Sequence, residues 1–565
     1  MKTRTFLCAL GVGLAVCTTV MAVEPAFVVG TAPGQQTRGA RLGAPELRLS
    51  LQDATALALE HNLNLEVSRL DLAGAQQGFV ATTGVFDALL KGDVGASYSE
   101  ALSTNALAGA TIGLQRGRQF DLYLSKPTPT GGSVTLGWTN IRSATNSTFY
   151  YFNPAYNSGL TFSFTQSLLR GFGTDVNHAQ IEVARRNMDI SRVQFEQSVI
   201  STVQAVENAY WNLVYAIDNL RVKQHSVKLA QDLLDQTRTR VRIGTSAPID
   251  IIQSEATLAS REVDIIVAEN LLGNAADVLK GLMGFENPED WKSRIVPTDA
   301  LGVTTTTVSL DDSISQALQN RPELRQRQLE TQIGQINLLS AKNGVLPQLD
   351  FSLRYGFAGV GGTQTIFDPT TGLPIGSVSG RWDDTFSQIL NRQYNNWGAL
   401  VNFSIPLGNT TARANLAQAR FGASLARQNT ALTQQGIISD VRNAVRGLEA
   451  SARGISAAAK SRELAERNLD AEQKKFDNGM STAFNVVKIQ DDLALAQASE
   501  LQSRVYYRQA EAVYRAAVGS LLETMGVRIR DEKQPEEKHA GLKDVKWLQY
   551  GHHVDLDVAA PPPSQ

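Results

Sequence analysis

The sequence predicts a mainly α protein that also carries membrane β-strands, built as an internal twofold repeat. Three observations point there. The first is self-similarity. Leu49-Ser50-Leu51, followed by Ala58-Leu59 and Leu65, returns as Val308-Ser309-Leu310, Ala317-Leu318 and Leu324, an offset of 259. Arg242-Ile243-Gly244-Thr245-Ser246 is echoed by Asp477-Asn478-Gly479-Met480-Ser481 at an offset of 235. A period this long, with parts in one order, constrains architecture more than any single motif. The second is the stretch from Asn177 to Arg242, which lacks both proline and glycine; as a helix it would run to ~100 Å. The third is polar–apolar alternation in short segments lying between the helical ones, the mark of strands with two unlike faces.

The first 22 residues read as a secretory signal: Lys2 and Arg4, then a mostly apolar run from Phe6 to Val20, then Val20-Met21-Ala22 as a cleavage pattern. The apolar run is shorter than the ~20 residues a spanning helix needs. Lipidation at Cys17 is the alternative. Cys8 and Cys17 are the only cysteines of the 565 residues, so removal of this segment leaves no thiol, disulfide or thiolate metal site. A net charge of -2 gives no pull toward nucleic acid.

Residues 23–47 read as an irregular lead-in. A helix is expected from Leu49 to about Val85, with Ser50 as its N-cap, Asp53 three residues on and Gly84 at its end. Strands are expected at 119–125, 133–138 and 161–165, with a turn at 127–132 and loops at 101–118 and 142–158. The long helix follows, with Leu213, Leu220, Val227, Leu234 and Val241 at intervals of seven, one column of a coiled-coil seam. Gly244 stops it, where a left-handed cap favours glycine. Ser246 is the expected cap of the next helix, with Pro248 in its first turn, running to about Met283. The first repeat covers 48–305 and the second 306–526. In the second, helix is expected at 310–342, strands at 348–357 and 397–405, helix at 412–477, a tip at Gly479 and Ser481, and helix again to Leu522. Ala450, Ala452, Ala457, Ala458 and Ala459 allow close helix approach. The charged segment 527–565 reads as a disordered tail.

Two strands at the far end of each helical hairpin make about four per chain, with the extra segments at 119–138 placed as a hairpin on the outer side. Four strands cannot close a membrane barrel, and open edges are not tolerated in lipid. The chain must associate, and three copies give about twelve strands.

Taken with the strand-to-helix passages Thr165-Gln166-Ser167-Leu168-Leu169-Arg170-Gly171-Phe172-Gly173 and Ser404-Ile405-Pro406-Leu407-Gly408, the repeated openings and glycine turns resemble the TolC family of outer membrane efflux proteins over roughly 48–526. The resemblance implies a homotrimer whose antiparallel coiled-coil helices form an α-barrel tunnel below a 12-stranded β-barrel in outer membrane lipid. It implies export of small molecules or proteins with a periplasmic adaptor and an inner-membrane transporter. By the same resemblance the tunnel narrows just beyond the glycine turns. Asp250 stands there, with Asn485, Lys488, Asp491 and Asp492 at or beyond the matching place in the second repeat. Asn485 and Lys488 depart from the aspartates frequent in the family. A helix-start carboxylate favouring the dipole is the other reading of Asp250, and a solvated face that of Asp491 and Asp492. Gly244, Thr245, Ser246 and Ala247, with Gly479, Met480, Ser481 and Thr482, are the expected adaptor-docking tips, beside their plain capping role.

Trp138, Tyr150, Tyr151, Trp382, Tyr394 and Trp397 suit interfacial belts or loop packing. His61, His178, His225, His539, His552 and His553 show no metal spacing, and no nucleophile-elbow, zincin or phosphate-loop motif occurs. No enzyme and no cofactor are expected. A periplasmic coiled-coil protein with a structural or adhesive role is the competing class; it explains the helices but not the strands.

Overall fold

The computed structural model describes residues 27–31, 46–103, 110–302 and 307–531. The signal segment and residues 532–565 of the expected tail lie outside them.

The chain opens with β1 (Phe27–Thr31) and β2 (Glu46–Leu49), then α1 (Leu51–His61) and α2 (Leu63–Thr83). Ser50 caps α1 in a capping box. Its hydroxyl accepts from the Asp53 amide at 3.1 Å, and the Asp53 carboxylate accepts from the Ser50 amide at 3.2 Å. The single helix expected here is two. Asn62 sits in extended backbone between them, its side chain accepting from the amides of Asn64 and Leu65 and donating to the Leu282 carbonyl. An asparagine that satisfies a new helix start competes with continuation of the old one. Gly84 caps the C-terminus of α2, as expected.

Four strands follow: β3 (Leu89–Leu102), β4 (Ile112–Thr128), β5 (Gly132–Thr145) and β6 (Phe152–Ser167). The loops expected at 101–118 and 142–158 are therefore largely strand. Then come α3 (Thr174–Asn177), α4 (Ala179–Arg242), α5 (Ile249–Leu282), α6 (Pro288–Trp291) and β7 (Arg294–Pro297). The second half runs through α7 (Leu310–Asn320), α8 (Pro322–Gly344), β8 (Gln348–Phe367), β9 (Pro374–Val378), α9 (Trp382–Leu390), β10 (Tyr394–Ser404), α10 (Thr410–Asp477) and α11 (Ala483–Val518). It closes with α12 (Leu521–Thr524) and β11 (Val527–Asp531). The helix expected at 310–342 breaks at Arg321, because Pro322 is placed to begin a helix rather than continue one. Ser309 caps α7 through the Asp312 amide, the counterpart of Ser50 and Asp53.

One antiparallel sheet of seven strands has the order β10-β8-β6-β5-β4-β3, with β9 paired to the outer part of β8. The sheet thus holds seven strands, against an expectation of about four barrel strands per chain. The segments at 119–138 are not an external hairpin: β4 and β5 lie inside the ladder, paired on both sides. Two small pairings tie distant parts together. β2 runs parallel to β7, and β1 antiparallel to β11. The lead-in is thus not irregular throughout, and the tail begins with a strand whose Val527 is buried.

Three buried clusters lie along the middle of the helices. Leu47 and Leu49 of β2 pack with Tyr210, Leu213, Leu279 and Ile295. The Tyr210 hydroxyl donates to the Leu49 carbonyl at 3.1 Å or the Asp299 carboxylate at 2.8 Å. Leu65, Leu72, Val199 and Val203 form a second cluster with Leu521 and Val527. Ala317, Leu324, Ile437, Val441 and Val445 form a third. Of the heptad column in α4, Leu213 and Leu234 are buried; Leu220, Val227 and Val241 are half-buried. That gradation suits a helix with neighbours on one side only within a single chain.

Candidate functional site

The sheet adjoins one end of α4 and α10, and both helices turn back at the other end. At 64 and 68 residues these helices are ~100 Å long, so sheet and turns mark opposite poles of the chain.

At the turn after α4, Gly244 takes φ +79° and its amide donates to the Val241 carbonyl; the Thr245 amide donates to Arg240. These bonds satisfy carbonyls that the helix end leaves open. After α10, Gly479 takes φ +73°, its amide donating to Phe476 and that of Met480 to Lys475. The two starts differ. Thr482 caps α11 by accepting from the Asn485 amide. Ser246 does not cap α5 as expected: Pro248 occupies the cap position, without a side-chain bond. Proline's fixed φ and missing amide make it fit there, which moves the start past Ser246 and Ala247. Ser481 instead donates to Glu472 at 2.5 Å and, with Lys475 beside it, holds that carboxyl below the usual carboxylate range.

The structure brings both tips together. Arg240 lies over the Phe476 ring at 3.9 Å and 3.6 Å from the Asp477 carboxylate. Beneath it Leu233 of α4 packs with Phe476, Ala483 and Val486. Met480 and Phe484 on one tip, and Ile243, Ile249 and Ile252 on the other, remain exposed. Apolar side chains crowded at a pole suit a partner surface.

The expected constriction residues are placed unequally. Asp250 lies partly exposed in the first turn of α5, and no ion pair engages it among the described residues. Asn485 is exposed and its amide group donates to Ser481 at 3.4 Å. Lys488 and Asp492 are exposed. Asp491 pairs with Arg261 of α5, which lies 3.6 Å from Asp264; Lys223 of α4 binds the same Asp264 at 2.9 Å. Asp491 thus joins a chain of ion pairs linking α4, α5 and α11. Arg240, Arg261 and Glu472 were not singled out from sequence. The only trace they leave there is charge beside helix ends and seams, which is common on any long helix.

The opposite pole has two unlike faces. Residues directly opposed in a ladder share a face. Leu90, Leu124, Leu136, Phe162, Tyr355 and Trp397 are successive ladder partners, one from each of the six strands in order. One residue along, the row Leu89, Ser125, Thr135, Ser163, Arg354 and Gly398 faces the other way and is mostly polar or small. On the apolar face Val94, Trp397, Val401 and Phe403 are more than half exposed, Trp397 at 74%. Near the outer rim α9 packs on this same face: Trp382 and Phe386 meet Trp138, and Thr385 shares a 2.9 Å hydrogen bond with Ser158. Gly359 makes that approach possible, since a Cβ there would stand 2.2 Å from the Thr385 carbonyl oxygen. Among the described residues no helix is long and apolar enough to cross a membrane.

The outer membrane efflux protein family matches residues 133–285 and 313–520. The outer membrane protein TolC of Vibrio cholerae is 24% identical over 247 residues, 43% of this chain and 51% of that protein. The chain spans about half the length of the curated relatives it matches. Among solved structures, the Campylobacter jejuni CmeC outer membrane channel superposes with a TM-score of 0.61 at 14% identity, covering 90% of this chain and 95% of that one. The open state of the Neisseria gonorrhoeae MtrE outer membrane channel gives 0.57 at 17% identity, covering 89% and 99%. At these identities the structural likenesses establish the fold.

Proposed function

The chain belongs to the outer membrane efflux protein family, and on that premise we propose that three copies assemble into a passive duct for small molecules or proteins. The sheets combine into a barrel in the outer membrane, and the long helices form a tunnel through the periplasm. A periplasmic adaptor docks on the tips at Gly244 to Ala247 and Gly479 to Thr482, and an inner-membrane transporter supplies the driving force. The observation that carries this reading is the sheet's split into an apolar and a polar face, joined without a break to hairpins of ~100 Å. A soluble coiled-coil protein has no use for an exposed band of Leu, Phe and Trp on a sheet. Near the tips, Asp250 and Asp492, repeated by threefold symmetry, would focus a negative potential on a narrow opening.

The test is fractionation followed by reconstitution. Detergent-extracted outer membrane should yield a heat-sensitive trimer that conducts ions across a planar bilayer. A monomer recovered from the water-soluble fraction, with no conductance, would overturn the reading.

A further inference from the structure

We propose that the barrel wall takes six strands from each chain, so that three copies close about eighteen strands rather than twelve, with β3 of one copy seated along β10 of the next. The inference rests on the trimeric duct proposed above and specifies how its rim is sealed.

Four observations carry it. First, the sheet is continuous. Each neighbouring pair from β3 through β10 is laddered over eleven residue pairs or more. A four-strand wall of β10, β8, β6 and β5 would have to seat the next copy along β5, and β4 already holds that edge from Gln115↔Thr145 to Thr128↔Gly132. Second, the apolar face does not stop at β5. Leu122 and Leu124 of β4, with Leu90 and Val94 of β3, continue it, as a lipid-facing band must. An external hairpin covering a four-strand wall would bury such residues against it, yet Val94 is 81% exposed. Third, the open edges lie at the two ends of this order, β3 with 14 residues and β10 with 11. Hydrocarbon offers no partner for their backbone groups, so both edges must pair. Fourth, the directions fit. Every pairing in the six-strand order is antiparallel, so β3 and β10 run in opposite senses. A neighbour's β3 beside β10 therefore continues the alternation without a parallel seam. A second copy of this chain is the occupant that presents the complementary edge.

Barrel diameter grows roughly in proportion to strand number, so the bore would be about one and a half times that of a twelve-stranded wall. The polar face, with Ser125, Thr135, Ser163 and Arg354, would line it.

Disulfide cross-linking in the full-length protein in its membrane tests the seam. The natural cysteines are confined to positions 8 and 17. Val401→Cys on β10 is combined in turn with cysteine at Leu90, Gly92, Val94, Ala96 or Tyr98 on the matching face of β3, and with cysteine at Val134, Leu136 or Trp138 on β5. Oxidation should link trimers covalently through one or two adjacent β3 positions and through none on β5. Links through β5 would overturn the six-strand wall and leave the trimeric duct standing. Trimers with neither link would also overturn it. A monomeric, water-soluble product would sink the duct reading itself.

Discussion

The glycines of this chain separate local strain from steric exclusion. Gly479 has φ +73°, yet a Cβ there meets nothing within 4 Å. Gly479→Ala should cost only left-handed strain, about 1–2 kcal/mol. Gly284 has φ +71° and faces the His61 carbonyl, where a Cβ would come to 2.0 Å. Gly284→Ala should add an overpacking cost and lose about 3 kcal/mol or more in total. Chemical denaturation of the detergent-solubilised protein measures both, and equal losses would refute the distinction. Glu207 allows a test in pH. It is 2% exposed, and burial pushes its carboxyl above the usual range, although Arg515 stands 3.6 Å away and acts against the shift. An acid whose folded pKa is raised gives most stability below its unfolded value and loses it as pH rises toward the folded value. Glu207→Gln should therefore flatten the fall in stability above about pH 4.5, the ordinary carboxyl range. A steeper fall in the variant would show that the pair with Arg515 outweighs burial. Neither site was legible in the sequence: Gly284 and Glu207 matter because of residues 223 and 308 positions away in the chain.

Elements were legible where their period is long and local. Both long helices and both glycine turns follow from local sequence: α4 holds no proline or glycine, and α10, despite Gly422, Gly436, Gly447 and Gly454, is rich in alanine. Breaks at Asn62 and Arg321 were not, since each depends on one side chain or ring interrupting an otherwise helical pattern. β3 and the outer part of β4 escaped for another reason. Gly92, Gly95, Gly113 and Gly117 lower strand propensity, and small residues on the polar face blur the alternation. The joint between the two hairpins was also invisible, because Arg240 and Phe476 are brought together only by the fold. Phe476→Ala should destabilise that end by about 3–5 kcal/mol, as a buried ring leaves a cavity. Arg240→Ala should cost about 1 kcal/mol through the lost cation–π contact. The double variant should cost less than the sum, because the two share one interaction. Strict additivity in hydrogen exchange or denaturation would place Arg240 outside the joint. A bulky side chain at the tip probes the proposed adaptor docking rather than folding. Gly479→Trp projects into open space within the chain, so trimers should persist while export fails. Loss of the trimer would assign Gly479 to assembly alone.

At the scale of the whole molecule, the proposed assembly takes a tip and a portion of wall from each chain and forms its ring only from several copies. The order of helices and strands was readable in the sequence and underlies the proposed twofold plan and trimer, whereas the extent of the sheet required the ladder itself. In that proposed ring, a constriction would be a property of all copies together. Asp491 is held by Arg261, so its charge is largely offset inside the chain. Asp250 and Asp492 carry no such partner among the described residues, and Lys488 contributes opposite charge nearby in sequence. Three copies of Asp250 at one level should therefore attract cations more than any single carboxylate on an exposed helix, because a narrow low-dielectric mouth concentrates the field. In a planar bilayer under a potassium chloride gradient, Asp250→Asn should move the reversal potential toward zero. The double variant Arg261→Gln/Asp491→Asn, which removes the pair and keeps the cluster neutral, should leave it nearly unchanged and instead loosen the α5–α11 contact. Raising the ionic strength from about 0.1 M to 1 M shortens the screening length from ~10 Å to ~3 Å, so the effect of Asp250→Asn should shrink with salt if the carboxylates act across the opening. If the reversal potential shifts with the Arg261→Gln/Asp491→Asn variant and not with Asp250→Asn, the narrow point lies a turn or more further along α11, and the start of α5 serves only the helix dipole.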